Sequence, residues 1–394
     1  MYDKENAAMA KIVNSWNEWD PLKRVIVGRP EGTNIPAPEP AWWYDRPEGG
    51  YPLGSFGPFP QEMYDAANEQ MDYFVKVMED RGIIVDRAVL HPGMHDRRPV
   101  STPDWTQLNQ HGVNNVRDVF LPIGNEIMEA TTCRRSRWYE YLNLRPLFEQ
   151  YFKEDPEFLW TAAPKPRLTD ESYEKNYFWN LFNNWTEEEK LERTRNWQYQ
   201  LTEKEPLWDA ADAARCGKDV FWQGSCVTNR SGMDWLKRYF GSKGIRIHHV
   251  LFDINEHPWH IDVNMLPVRP GLAIYNPYWK PITDEFWELM KINDWELVPA
   301  AEPTYVHQNK CYLTGLYESR SWISMNTFSL GPNTICVEAH ETAYMDQLDS
   351  MGIEVVPIPY EKVIPFGGAL HCTTLDICRE GTCEDYFPKQ IEGY

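Results

Sequence analysis

The residues of this chain that could do chemistry are few and far apart. Near its end, "GGALHCTTLD" (367 to 376) sets His371 and Cys372 behind two glycines. An isolated free cysteine is commonly a small core residue; held open by a turn at Gly367 and Gly368, the same thiol is a nucleophile. Three other stretches place polar groups in otherwise apolar runs: "VRDVF" carries Asp118, "WDAAD" carries Asp209 and Asp212, and "HPWHID" carries His257, His260 and Asp262. Each has a plainer alternative. Asp118 suits a turn at the start of a strand, and Asp209 with Asp212 suits a helix N-cap and first turn. His257 and His260 would share a helical face toward a metal, but Pro258 and Ile261 favour an extended segment, in which that spacing points the rings to opposite faces.

One task uses all of these groups. A planar guanidinium is gripped best by carboxylates offering paired acceptors, and Asp118 and Asp262 supply them from separate parts of the chain. Its central carbon is a poor electrophile, so a soft nucleophile such as Cys372 is needed, with an adjacent cation to raise its thiolate fraction. The departing amine needs a proton. His260, oriented by Asp212, would deliver it, which makes Cys372, His260 and Asp212 a distributed triad.

These residues must be brought together by repeated elements. An apolar β-rich run, a polar break, an amphipathic helix and a second β-rich run recur five times. The first copy starts with "KRVIVGRP" (23 to 30), continues through the helix "QEMYDAANEQMDYFVKVMEDRG" and ends in "IIVDRAV". Met63, Ala67, Met71, Phe74, Val75 and Met78 recur at helical spacing there, and Gly82 supplies the stop. The other copies begin at "RDVFLPIGNEIMEA", "KDVFWQGSCV", "GLAIYNPYW" and "NTICVEAH". Five such α/β units predict a propeller-like arrangement, one domain over residues 1 to 394 and one central site. The Pro-, Gly- and aromatic-rich stretch 30 to 60 reads as a loop forming a lid or site wall, and 166 to 205 as an inserted surface excursion.

The bulk composition agrees with a globular enzyme. The 394 residues are 42% hydrophobic and 25% charged, with a formal net charge of −20 that disfavours nucleic acid and anionic membranes and favours a cationic substrate. Neither a leader-like start nor a run long enough for a membrane span is evident, so a cytoplasmic location is expected. Eight cysteines without a CxxC pair argue for reduced thiols rather than a disulfide framework or zinc ribbon.

"EPLWDAADAARCGKDVF", "HPWHID", "SRSWISMN" and "GGALHCTTLDICREGT" resemble the matching segments of the L-arginine amidinotransferases, the glycine and inosamine-phosphate enzymes of the guanidino-group-modifying (pentein) superfamily. "IGNEIMEA", "RRSRWYEY" and "TAAPKP" match as well, and the resemblance runs from about residue 14 to the C-terminus. It implies a five-fold pseudo-symmetric α/β-propeller, no cofactor and no metal, and a ping-pong cycle. In that cycle Cys372 takes the amidino group of L-arginine, His260 protonates the departing ornithine, and an acceptor amine carries the group away. Asp212 would orient His260, Asp118 and Asp262 would clamp the guanidinium, and His371 would be a structural neighbour. Family members are often dimeric, which makes a homodimer the assembly to test.

Departures from the glycine enzyme concern the substrate pocket. In "NPYWKP", Lys280, or Trp279 without a gap, stands where that enzyme has a carboxylate-binding arginine, while Ser319 and Arg320 replace a serine pair and His257 and Trp259 replace Asn and Met. Larger aromatic walls argue against a plain glycine pocket and resemble amidinotransferases of saxitoxin-type alkaloid pathways. A glycine acceptor, and a hydrolase in which water resolves the Cys372 intermediate, are the alternatives.

Overall fold

The computed structural model describes residues 11–41, 56–95, 98–253, 260–305 and 321–394. What reads in sequence as one strand run after Asp118 is a hairpin. Strand Phe120–Ile123 turns at Gly124, with φ of 62°, and returns as Glu126–Glu129. The same turn recurs at Gly217 and Gly271, so each of the five units holds three strands, not two.

In chain order the strands are β1 Leu22–Val27, β2 Ile84–Arg87, β3 Phe120–Ile123, β4 Glu126–Glu129, β5 Leu159–Ala162, β6 Ala213–Cys216, β7 Asp219–Gln223, β8 Arg246–Val250, β9 Met265–Arg269, β10 Leu272–Tyr275, β11 Glu296–Pro299, β12 Phe328–Gly331, β13 Thr334–Glu338, β14 Glu354–Ile358 and β15 Thr374–Arg379. The crossover helices are α1 Gln61–Glu79, α2 Arg145–Glu154, α3 Arg230–Gly241, α4 Asp284–Ile292 and α5 Thr342–Ser350. They build five sheets, ordered β15-β1-β2, β3-β4-β5, β6-β7-β8, β9-β10-β11 and β12-β13-β14. In every sheet the first pair is antiparallel and the second parallel, the helix making the parallel crossover. The first sheet joins the two ends of the chain, since β15 pairs β1 with Val27 opposite Thr374. Neighbouring sheets touch: inner strand β15 adjoins β3, β6 adjoins β9, and β1, the central strand of the first sheet, adjoins β12.

Burial follows the pleat and the helical period. The inner strands β3, β6 and β12 are buried at every residue, while β2, β5 and β11 at the rim are exposed or half-buried. On α1 the buried stripe is Tyr64, Ala67, Met71, Phe74 and Met78. Tyr64 takes the place expected of Met63, and Met63 and Val75 stay half-buried at the edge of the stripe. Gly82, Gly244 and Gly352 follow α1, α3 and α5 in the left-handed region, where only glycine is free of the Cβ clash; Asp294 does the same after α4 at φ of 57°. The excursion at 166 to 205 is not merely superficial. Tyr177, Phe178, Leu181, Trp197 and Tyr199 join Trp208, Trp222 and Leu236 in one apolar cluster. Among the described residues no helix is long and apolar enough to cross a membrane.

A buried ionic network ties the inner strands together. Arg215 on β6 binds Glu18 at 2.7 and 2.8 Å, Asp376 on β15 at 2.7 Å and the carbonyl of Pro122 on β3 at 3.1 Å. Arg117 reaches Asp376 at 2.7 Å, and Arg379 binds Asp376 at 2.5 Å and the carbonyl of Ser329 on β12 at 2.8 Å. Burial would raise the carboxyl of Asp376, but Arg215, Arg379 and Arg117 hold it well below the usual aspartate range. A group so depressed stabilises the fold fully above the unfolded aspartate value of about 3.9 and loses that contribution as pH falls. Asp376→Asn removes the carboxylate that three guanidinium groups share, so a loss of about 3–5 kcal/mol is expected, read as a lower denaturant midpoint at unchanged slope and a flatter acid limb. A wild-type midpoint would show the network to be neutral.

Candidate active site

Each inner strand is preceded by a short turn, and these turns carry the candidate residues. The 3-10 turns Val116–Asp118, Ala210–Asp212 and Ile261–Val263 lead into β3, β6 and β9, with His260 at the N-cap position of the third. Ser321–Met325 precedes Asn326 and β12, and a turn over residues 369–373 precedes β15. Consecutive 3-10 turns are in contact. Asp118, Asp209, Asp212, His260, Asp262, Asn326, His371 and Cys372 thus come from matching places in their units, and all are buried. Cys372 lies in the turn ahead of the last strand rather than within it.

The sulfur is held on three sides. Cys372 Sγ lies 3.3 Å from Asp262 Oδ2 and accepts from Asn326 Nδ2 at 3.1 Å. A Cβ on Gly368 would stand 2.6 Å from Cys372 Cβ and 3.1 Å from Sγ, so glycine there is a steric requirement. Asp262 Oδ2 also accepts from His371 Nδ1 at 2.9 Å, and His371 Nε2 faces Glu18 at 3.6 Å. The His371 carbonyl accepts from Arg117 Nε at 2.9 Å, which couples this turn to the ionic network.

The partner of His260 differs from the expected one. Its Nε2 lies 3.4 Å from Asp209 and its Nδ1 3.6 Å from Asp118, whereas Asp212 Oδ2 accepts from the hydroxyls of Ser225 at 2.7 Å and Thr228 at 2.5 Å. Asp209, the extended N-cap residue ahead of the Ala210–Asp212 turn, lies nearest the imidazole Nε2. Asp118 is fixed from behind: Arg137 donates to its Oδ2 and binds Glu140 through Nε at 2.6 Å and Nη2 at 2.7 Å. Asp118, Asp209, Asp212 and Asp262 each keep one buried oxygen, Oδ1, with no hydrogen-bond partner among the described residues.

These contacts set the charge states. Burial pushes Asp212 up to about 8 despite the nearby His260 and the two hydroxyls. Burial would lower His260, but Asp118, Asp209 and Asp212 overcome it and raise the imidazole to about 9, so it is an imidazolium at neutral pH. Burial and then the charges of Asp262 and Asp118 push the Cys372 thiol well above its usual value. Asp262 itself is lowered, because His371 and His260 outweigh its burial.

Among the described residues, Lys280 and Trp279 are not drawn into this cluster. Lys280 is exposed, and its backbone carbonyl accepts from the Asp253 N–H at 2.9 Å. Trp279 is buried in an apolar cluster with Phe252, Phe286 and Trp322. His257, Trp259, Ser319 and Arg320 lie outside the described residues, as does the middle of the 30 to 60 loop. Asp209, Asn326 and Arg137 were not assigned roles by sequence reasoning. Asp209 had been visible as half of "DAAD"; the other two stood in "SRSWISMN" and "RRSRWYEY" without a chemical signal.

No family model matches the chain. Curated relatives do: it is 33% identical over 394 residues to the mitochondrial glycine amidinotransferase of Xenopus laevis, covering 98% of this chain and 87% of that one. It is 31% identical to the L-arginine:L-lysine amidinotransferase of Pseudomonas savastanoi pv. phaseolicola, covering 95% and 96%. Among solved structures, the SxtG amidinotransferase of the Microseira wollei saxitoxin pathway matches with a TM-score of 0.79 at 32% identity over 95% of this chain and 99% of that one. The inosamine-phosphate amidinotransferase StrB1 of Streptomyces griseus also scores 0.79, at 28% identity over 96% and 100%. Dimethylarginine dimethylaminohydrolase of Pseudomonas aeruginosa, at 11% identity and 0.52, shares the fold alone. The class is that of the group-transferring enzymes, and the chain belongs to the amidinotransferase family.

The geometry around His260 makes a direct prediction. Asp209→Asn removes its nearest carboxylate, so the imidazole midpoint, followed by NMR, is expected to fall from about 9 toward its ordinary 6.5. Asp212→Asn should move it less, and an equal or larger effect there would return the orienting role to Asp212.

Proposed function

We propose that the protein transfers the amidino group of L-arginine to an acceptor amine through a covalent intermediate on Cys372. The observation that carries this reading is a cluster of buried acidic groups, Asp118, Asp209, Asp212 and Asp262, each with an oxygen that has no hydrogen-bond partner among the described residues, one of them in contact with the Cys372 thiol. A guanidinium offers five N–H donors in one plane, and its positive charge is the counter-ion such a site lacks. Asp118 and Asp262 remain the proposed clamp. With Asp209 beside the imidazole, the proposed triad is Cys372, His260 and Asp209, and Asp212 is a buried carboxyl next to it.

The steps follow from the protonation states. As the cation enters, its charge favours the thiolate, the thiol proton leaves to solvent, and sulfur bonds to the guanidinium carbon. The bond from that carbon to the δ-nitrogen breaks while His260 donates its proton to the departing amine, releasing ornithine. The amidino group stays on sulfur as a thiouronium cation. An acceptor amine then attacks, gives a proton to neutral His260, and displaces the sulfur, which regains its proton.

The adjacency of strands β15 with β3, β6 with β9 and β1 with β12 supports the reading of the five units as a propeller around one axis. For the acceptor we propose an amine of the guanidine-alkaloid class, supported by the similarity to SxtG. Relatives named for glycine and lysine stand at similar identity, so those amines belong in the same screen.

Intact mass spectrometry after L-arginine is expected to show an amidino adduct on Cys372 and free ornithine, both abolished in Cys372→Ala. Adding glycine, lysine or an alkaloid-type amino ketone should then discharge the adduct to a guanidino product with the right acceptor. Citrulline as the main product with every acceptor would make the enzyme a hydrolase, and the absence of any adduct or ornithine would reject covalent transfer.

A further inference from the structure

Asn326 makes three hydrogen bonds to the nucleophile turn. Its Oδ1 accepts from the backbone N–H of His371 at 3.0 Å and of Cys372 at 3.2 Å, and its Nδ2 donates to Cys372 Sγ at 3.1 Å. The orientation of this amide is not free. Two backbone donors demand the oxygen, so the NH2 group must face the sulfur. Asn326 is itself fixed, because its backbone N–H donates to the Ile323 carbonyl at 2.9 Å at the close of the Ser321–Met325 turn, and its side chain is buried. It also occupies a telling position. Three other inner strands are preceded by Asp118, Asp212 and Asp262, whereas the turn before β12 delivers a neutral donor.

We infer that Asn326 is the positioning residue of the nucleophile: it fixes the 371–372 turn and stabilises the sulfur anion formed when the thiol ionises. The chemistry is complementary to the rest of the shell. Asp262 and Asp118 oppose a negative sulfur, and Asn326 is the group that lowers the thiol's proton affinity against them. A hydrogen bond donated to the charged form of an acid favours that form. An aspartate in this place would keep the acceptor for the two backbone N–H groups, lose the donor and add a third negative charge beside the sulfur.

This inference rests on Cys372 being the reactive thiol, and its test needs no substrate. The rate of iodoacetamide alkylation of Cys372 is followed against pH, with the site resolved by peptide mass spectrometry, in the wild type, Asn326→Asp and Asn326→Ser. Wild-type thermal unfolding screens out variants whose fold is disturbed, and Asn326→Ser, a smaller side chain with a hydroxyl donor, is the second variant should the aspartate destabilise the turn. Asn326→Asp is expected to raise the alkylation midpoint by at least about one pH unit, and Asn326→Ser by less. With arginine, kcat should fall at neutral pH and recover as pH rises, a shift that loosened packing alone would not produce. An unmoved midpoint in folded variants would overturn the inference. A shifted midpoint in an enzyme that forms no arginine adduct would leave it standing and remove the proposed transfer reaction instead.

Discussion

A carboxylate stays ionised inside a protein only where positive charge or several donors stand beside it, and this molecule meets that requirement in two opposite ways. Around Asp376 it is met internally, by Arg117, Arg215 and Arg379. Those contacts join β15, β6, the turn before β3 and, through the Ser329 carbonyl, β12. In the turns that precede the inner strands it is met only in part: Asp118, Asp209 and Asp262 have His260, His371 and Arg137 beside them, Asp212 accepts from two hydroxyls, and each of the four keeps an oxygen with no hydrogen-bond partner among the described residues. The first arrangement locks the inner strands. The second waits for a cation.

The two are physically continuous. Arg117 holds both Asp376 and the His371 carbonyl, and Glu18 binds Arg215 while facing His371. The turn that presents Cys372 therefore rests on the network that joins the sheets, which gives the nucleophile a rigid base without any regular element beneath it. Gly368 and Asn326 close that turn from the other sides, one by having no side chain and the other by three hydrogen bonds. Precise placement on a short loop is achieved here by buried polar contacts.

The charge states make sense in the same terms. An empty site rich in carboxylates protonates what it can: His260 becomes an imidazolium, Asp212 takes up a proton near neutrality, and the Cys372 thiol stays neutral.

Much of this was legible in the chain itself, because helical spacing, turn glycines and apolar runs are local properties. The recurring strand-helix-strand pattern and the choice of Asp118, His260, Asp262 and Cys372 as polar groups set in apolar runs follow from residue type and spacing. The inner hairpin strands escaped notice, since four-residue strands split by a single glycine carry no period of their own. Which aspartate of "DAAD" meets His260, that Asn326 touches the sulfur, and that Lys280 stands apart were decided only by tertiary structure. The physical reason is distance: these contacts join residues 51 and 46 positions apart, and no local pattern encodes which of two neighbouring carboxylates a turn will aim at a partner brought from another sheet.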